Sequence, residues 1–151
     1  MIHIDTLLPV KLINLDTPDS IWQHLSSDID IQYFWLGLQP YQPVWELQKQ
    51  LHAKQVVGEI PDVVLFVEHD HVYTFGKNAD TNNLLDTKPR NAEVVQIDRG
   101  GEVTYHGPGQ LVSYPIVNLR AANLGPLRYV ASLEETIVRT LREYGIQAGA
   151  D

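Results

Sequence analysis

Cysteine is absent from this chain of 151 residues, which removes disulfides, thiolate metal sites and thiol nucleophiles from the chemistry these residues can perform by themselves. Basic residues are scarce as well: 11 Lys and Arg stand against 19 Asp and Glu, a formal net charge of -8. That balance opposes the phosphate attraction behind most non-specific nucleic-acid binding, so no nucleic-acid partner is expected. Long hydrophobic runs are missing too. No stretch approaches the roughly 20 apolar residues that cross a bilayer, and Met1 to Asp5 lacks the basic and apolar regions of a signal peptide. A cytoplasmic protein with no membrane partner is the expectation. There is no repeat of fixed period and no low-complexity tract. What is present, 44% hydrophobic residues, suffices for the core of one ordinary globular domain.

Residues 1–30 mix apolar and acidic positions without a sustained period and read as an N-terminal extension, with Thr17 to Ser20 as a turn signal and cap for a short helix at Ile21. Ile31 to Leu36 is aromatic and β-branched enough for a strand, which Gly37 is expected to end. Pro43 suits a helix's first turn, and Val44, Leu47 and Leu51 then recur at spacings of three and four, a core-facing stripe. Asp62 to Glu68 holds the unbroken apolar run Val63 to Val67, as expected of a strand buried on both faces in the middle of a sheet. Gly76 to Arg90 reads as a surface loop and Val94 to Asp98 as a short strand. Leu111 to Leu119 is extended, and Pro115, which cannot donate to a ladder, puts that strand at an edge or a bulge. Pro126 opens a helix with Leu127, Val130, Leu133, Ile137, Val138, Leu141 and Tyr144 on one face and Gly145 as its C-terminal cap.

The chemistry is concentrated in Arg99-Gly100-Gly101-Glu102-Val103-Thr104-Tyr105-His106-Gly107-Pro108-Gly109-Gln110. Glycines on both sides of the β-type core Val103 to Tyr105 describe a backbone that passes close to something, a ligand or simply a pair of hairpin turns. Arg99 offers a planar cation, His106 an imidazole and the glycines bare amides, tools for holding a polarised carbonyl or an anion. In an extended segment Thr104 and His106 share one face, and Val103 and Tyr105 the other. The stretch is no Walker loop, and its glycines do not have dinucleotide-binding spacing. His69 and His71, with Glu68 and Asp70, invite a metal reading, but spacing supplies no third ligand, which favours structural or substrate-lining roles. Tyr73 and Phe75 fit the lining of an apolar tunnel or core packing equally well, and Lys77 fits a ligand contact less well than a solvated loop.

Arg99 to Gln110 resembles, at every position and with Glu102 in the variable slot, the signature of the lipoyl(octanoyl) transferases. Leu36 to Tyr41, Glu68 to Gly76 and Tyr114 to Leu119 resemble the same family in the same order. The resemblance spans residues 31–151 and implies the N-terminal part of a catalytic domain of the biotin/lipoate protein ligase-like type. That type is an α/β fold (an α+β sandwich), a mixed sheet flanked by helices, here expected to be incomplete at the C-terminus. It implies octanoyl (or lipoyl) transfer from octanoyl-acyl carrier protein to a lysine on lipoyl domains of 2-oxoacid dehydrogenase E2 subunits and on the glycine cleavage H protein. No metal and no ATP are implied. In such enzymes a cysteine thiolate carries the acyl group beside a lysine that lowers the thiol pKa, and both would lie beyond Asp151; the chain alone is therefore expected to be inactive. No catalytic residue is assigned within it. Arg99, Gly100, Gly101, Glu102, Val103, Thr104, Tyr105 and His106 are carried over as the acyl-substrate site. Thr104, Tyr105 and Ser113, with His106 as base, are the hydroxyls that would have to replace the cysteine. Two other readings stay open: an ATP-dependent lipoate or biotin ligase relative, and a non-catalytic module that binds acyl carrier or lipoyl domains.

Overall fold

The computed structural model describes residues 12–26, 30–80, 84 and 91–149. Two compact units result, residues 1–116 and residues 117–151. In the first, β1 (Leu12–Asn14), β2 (Ile31–Gln39), β3 (Asp62–His69) and, after the strands below, β7 (Val112–Ile116) form a four-stranded sheet in the order β1-β2-β3-β7. The first three strands run parallel and β7 runs antiparallel to β3. β3 is interior, and its apolar run fits that place: Val63, Leu65 and Val67 are fully buried. Among the described residues β7 is an edge strand, and Pro115 lies on it opposite Val64, where its missing N–H leaves the outer side of the ladder.

Gly37 does not end β2. The strand runs on to Gln39 through a bulge, because Trp35 pairs with Phe66 and Leu38 with Glu68, two steps on β3 for three on β2. A φ of +70° at Gly37 supplies the conformation the extra residue needs. Residues 12–24, read from sequence as part of an extension, contribute β1 to the sheet and Leu15 and Ile21 to its core, with a 3-10 helix over Pro18–Gln23.

Helix α1 (Tyr41–Val56) begins after Pro40 and takes Pro43 in its first turn, where no intrahelical N–H is lost. Its Val44, Leu47 and Leu51 are buried among Phe34, Leu36, Val63, Leu65, Val67 and Ile116. At about 1.5–3 kcal/mol for each fully buried aliphatic side chain, this stripe fixes the helix on the sheet. Tyr41 at its first turn belongs instead to a second cluster with Val72, Val95 and Ile97, beneath a three-stranded sheet in the order β5-β4-β6. There β4 (Val72–Phe75) runs parallel to β5 (Glu93–Gln96) and antiparallel to β6 (Val103–His106). The sheets are mixed, with α1 against the larger one, the α/β arrangement expected of the sequence. Most of the loop expected over Gly76 to Arg90 lies outside the described residues.

In the unit of residues 117–151, turns at Asn118–Leu124 lead into α2 (Pro126–Glu143), with Gly145 in the left-handed conformation just beyond its end. No residue of α2 is buried, and Leu127, Val130, Leu133 and Ile137 are exposed. None of the described helices is long and apolar enough to cross a membrane.

Candidate functional site

The antiparallel register of β4 and β6 divides Val103–His106 between two surfaces. His106 sits opposite Val72 and Thr104 opposite Thr74, while Tyr105 sits opposite Tyr73 and Val103 opposite Phe75. Val72 and Thr74 are fully buried. Thr104 and His106 therefore share the face of the buried cluster, and Tyr105 shares the outer face with Tyr73, 5.0 Å away ring to ring. On that outer face the Tyr105 hydroxyl meets His71 Nδ1 at 2.5 Å. Gly107 follows closely: a Cβ on it would lie 2.2 Å from that same hydroxyl.

On the inner face, four rings from four elements converge. Tyr41 of α1 lies nearly parallel to His106 at 6.3 Å, His69 at the end of β3 meets His106 edge-on at 5.9 Å, and Tyr114 of β7 lies 5.8 Å from His69. Hydrogen bonds fix the protons. His69 Nδ1–H donates to the Gln39 carbonyl at 3.1 Å, so Nε2 is left to accept from the Tyr114 hydroxyl at 2.9 Å. Burial lowers the His69 pKa, outweighing the opposite pull of the Gln39 carbonyl, with His106 adding to the drop and Asp70 opposing it. Burial likewise raises Tyr114, with Tyr41 nearby adding to it and Gln48 pulling back. Tyr41 is raised chiefly by burial, which Arg99 opposes and Asp98 reinforces. Three of the four rings are consequently uncharged at neutral pH.

His106 is bonded differently. Its Nδ1 lies 2.6 Å from Gln110 Oε1, and Nε2 has no hydrogen-bond partner among the described residues. The turn that carries Gln110 is tied down twice, by Gln110 N–H donating to the Gly107 carbonyl at 3.1 Å and by Gly109 N–H donating to Glu68 Oε2 at 2.7 Å.

Arg99 spends its guanidinium on the protein's own oxygens. Nη2 donates to the Thr74 carbonyl (3.1 Å), Thr74 Oγ1 (3.0 Å) and Thr104 Oγ1 (2.7 Å), and Nη1 donates to the Gly100 carbonyl at 2.9 Å. Gly101, with φ +87°, turns the chain back towards β4, where a Cβ on Gly76 would fall 2.1 Å from its carbonyl oxygen. Gly100 has open space around it. Glu102 Oε2 accepts from Asp80 N–H at 3.3 Å.

Of the eight residues carried over as the acyl site, Thr104 and His106 reach the inner face and Arg99 braces it through Thr104. Val103 and Tyr105 lie on the outer face, and Gly100, Gly101 and Glu102 form the turn before β6. Neither Thr104, Tyr105 nor Ser113 is hydrogen-bonded to His106. His69 and His71 enter separate networks, and no group of three potential metal ligands occurs among the described residues. Phe75 is buried and Tyr73 half-buried; Lys77 is exposed and its N–H donates to the Arg99 carbonyl at 3.0 Å. Sequence reasoning did not assign Gln39, Gln110 or Tyr114 a role, and weighed Glu68 only as a neighbour of a metal site. The available signal for all four was their place inside the segments that resemble the family, although Gln39's part is played by its backbone and left no mark in its side chain.

Comparison with known proteins adds a second line. The sequence model of the lipoyl protein ligase A/B catalytic domain matches residues 40–151. An octanoyltransferase of Thermobifida fusca is 46% identical over 124 residues, 81% of this chain and 52% of that protein. One from Rubrobacter xylanophilus is 47% identical over 116 residues, covering 74% and 52% respectively. A probable octanoyltransferase of Pyrobaculum arsenaticum is 43% identical over 119 residues, covering 79% and 53%. The chain spans about half the length of the curated relatives it matches.

Proposed function

Because this chain belongs to the lipoyl protein ligase A/B catalytic domain family, we propose that it forms part of an octanoyltransferase, which moves octanoyl from acyl carrier protein to a lysine of lipoyl domains. The acceptors in this reading are lipoyl domains of 2-oxoacid dehydrogenases and the glycine cleavage H protein. The observation that carries it is the 43–47% identity to proteins named octanoyltransferase, over segments that make up about three quarters or more of the chain. The inner-face cluster supports it chemically. An acyl thioester is uncharged, and a wall of neutral His69, Tyr114 and Tyr41 offers it aromatic surface and hydroxyl dipoles without the desolvation of an ion.

In this reading Thr104, His106 and the amides around Gly100 and Gly101 line the acyl-substrate site, with Glu102, Val103 and Tyr105 shaping it and Arg99 holding Thr104 in place. A thiolate attacks the acyl carbonyl and expels the carrier's thiol; the lysine amine then attacks the new thioester and expels the thiolate. The thiol for this exchange lies outside these 151 residues, which contain no cysteine. The test incubates the intact protein that carries this chain with octanoyl-acyl carrier protein and a lipoyl domain, and follows the mass of the lipoyl domain. Octanoylation without ATP is expected. Modification only with free octanoate and ATP would assign a ligase instead, and binding of either partner without modification would leave a docking module.

A further inference from the structure

The two histidines that face each other on the inner face differ in what their bonds allow. His69 has both ring nitrogens committed: Nδ1–H to the Gln39 carbonyl and Nε2 to the Tyr114 hydroxyl. Taking up a proton at Nε2 would require that hydroxyl to turn away, inside a site buried from solvent. His106 has only Nδ1 committed, to Gln110 Oε1. An amide oxygen accepts from Nδ1–H whether the ring is neutral or protonated, so His106 can gain and lose a proton at Nε2 without breaking its hydrogen bond. The partner is itself held, since Gln110 closes the turn on Gly107 and Glu68 grips Gly109.

Resting on the octanoyl-transfer reading, we propose that His106 Nε2 receives the proton given up by the acceptor lysine, and that Gln110 is the positioning residue that keeps Nε2 free for it. The step balances as follows. The acceptor ammonium passes one proton to Nε2, giving a free amine and an imidazolium. The amine nitrogen attacks the thioester carbon; a C–N bond forms, the C–S bond breaks, and the thiolate leaves with the electron pair and takes up the second proton released by nitrogen. The imidazolium returns its proton to water. The ionisable groups around His106 are Tyr41 on α1, His69 with Glu68 and Asp70 at the end of β3, Tyr114 on β7, Asp98 and Arg99 ahead of β6, and His71 across the sheet. Of these, His69 is held neutral and the carboxylate of Glu68 is bonded to the Gly109 amide.

The experiment compares Gln110→Glu, Gln110→Leu and His106→Gln with the parent in the intact protein. It measures the pH dependence of kcat/KM for the acceptor domain, the ring-nitrogen NMR signals of His106, and the thermal midpoint. A carboxylate at Nδ1 favours the imidazolium, so Gln110→Glu is expected to move the acid limb of the profile up by about 1 pH unit or more. His106→Gln is expected to abolish that limb and lower the plateau roughly 10²–10⁴-fold. Gln110→Leu should lower the plateau while its midpoint stays near that of Gln110→Glu. A parent that transfers octanoyl while Gln110→Glu leaves the acid limb in place, or whose neutral His106 carries its proton on Nε2, overturns the proposal alone. A parent that transfers no octanoyl overturns the octanoyl reading and the proposal with it.

Discussion

Replacing Gly76 by alanine probes how closely the Arg99–Gly101 turn is bound to the end of β4. The new Cβ would lie 2.1 Å from the Gly101 carbonyl oxygen, and real Cβ atoms essentially never come within 3.0 Å of such a neighbour. The turn must recede by roughly 0.9 Å, and its bonds resist. Lys77 N–H holds the Arg99 carbonyl at 3.0 Å, Gln96 Nε2 holds the Gly76 carbonyl at 2.7 Å, and the Arg99 guanidinium holds both Thr74 and Thr104. Two effects of opposite sign compete. Losing a glycine restricts the unfolded chain and stabilises by about 0.4–1 kcal/mol, whereas overpacking of this kind costs about 1–3 kcal/mol. The second wins, leaving a net loss of about 1–2 kcal/mol and a thermal midpoint lower by roughly 2–8 °C. Gly100→Ala is the control: nothing lies within 4 Å of its Cβ and its φ is outside the left-handed region, so only the stabilising effect remains. Thermal unfolding followed by circular dichroism, with urea midpoints as a check, reads both variants. A Gly76→Ala protein that melts at or above the parent would refute the reasoning, as would a Gly100→Ala protein that falls further than Gly76→Ala.

Tyr114→Phe leaves His69 Nε2 buried without its donor, and a loss of about 1–3 kcal/mol is expected in urea unfolding; a neutral outcome would mean the bond contributes nothing net. Because burial lowers the His69 pKa below its ordinary 6.5, the unfolded chain takes up this proton before the folded one. Its stability contribution is therefore complete above pH 6.5 and is lost as pH falls from there towards the folded pKa, by up to about 1.4 kcal/mol per pH unit. The urea midpoint should drop between pH 7.5 and 5.5, and less steeply in His69→Gln; matching slopes would remove His69 as the cause. Arg99→Lys keeps the charge but puts one nitrogen on a shorter reach where the guanidinium uses two, so it cannot hold the Gly100 carbonyl as well as Thr74 and Thr104, and a loss of about 1–3 kcal/mol is expected despite the conserved charge. Parental stability in that variant would show that charge alone suffices.

Periodicity carried the large sheet well. The continuous apolar run of β3, the Val44–Leu47–Leu51 stripe of α1 and the edge position of Pro115 all follow from burial and ladder chemistry that a sequence displays directly. Gly37 misled because glycine marks both strand ends and bulges, and only the register against β3 separates the two. The alternation of Val103 to His106 was equally legible, and it delivers His106 and Thr104 to one face as an extended strand must. What sat opposite them was not legible. Tyr41, His69 and Tyr114 arrive from three separate elements, with His69 and Tyr114 45 residues apart, and no local pattern encodes such a meeting. For Arg99, its residue type suggested a ligand-binding cation, whereas the partners it finds are two threonines and two carbonyls of its own chain.

The bulge in β2 acts as a length gauge. The Gln39 carbonyl that receives His69 Nδ1–H also receives the Asp70 N–H at 3.3 Å, and it stands level with His69 only because one extra residue has been accommodated between Trp35 and Leu38. Deleting Gly37 would remove the extra residue and keep Gln39 opposite His69. Straightening the bulge with its residue kept, as Gly37→Val would favour because a φ of +70° suits glycine, would instead leave Phe34 and Trp35 in register while sliding Gln39 one step along β3 and turning its carbonyl to the other edge of the strand. His69 would then have no fixed reason to keep its proton on Nδ1, and the Tyr114 hydroxyl no fixed reason to point at Nε2. A change of backbone conformation in a strand whose Gln39 lies 30 residues from His69 in sequence, adding or removing no charge, would thus rewrite the protonation pattern of a buried histidine. The register of β2 on β3, however many residues it takes to reach it, decides where the protons of the cluster sit.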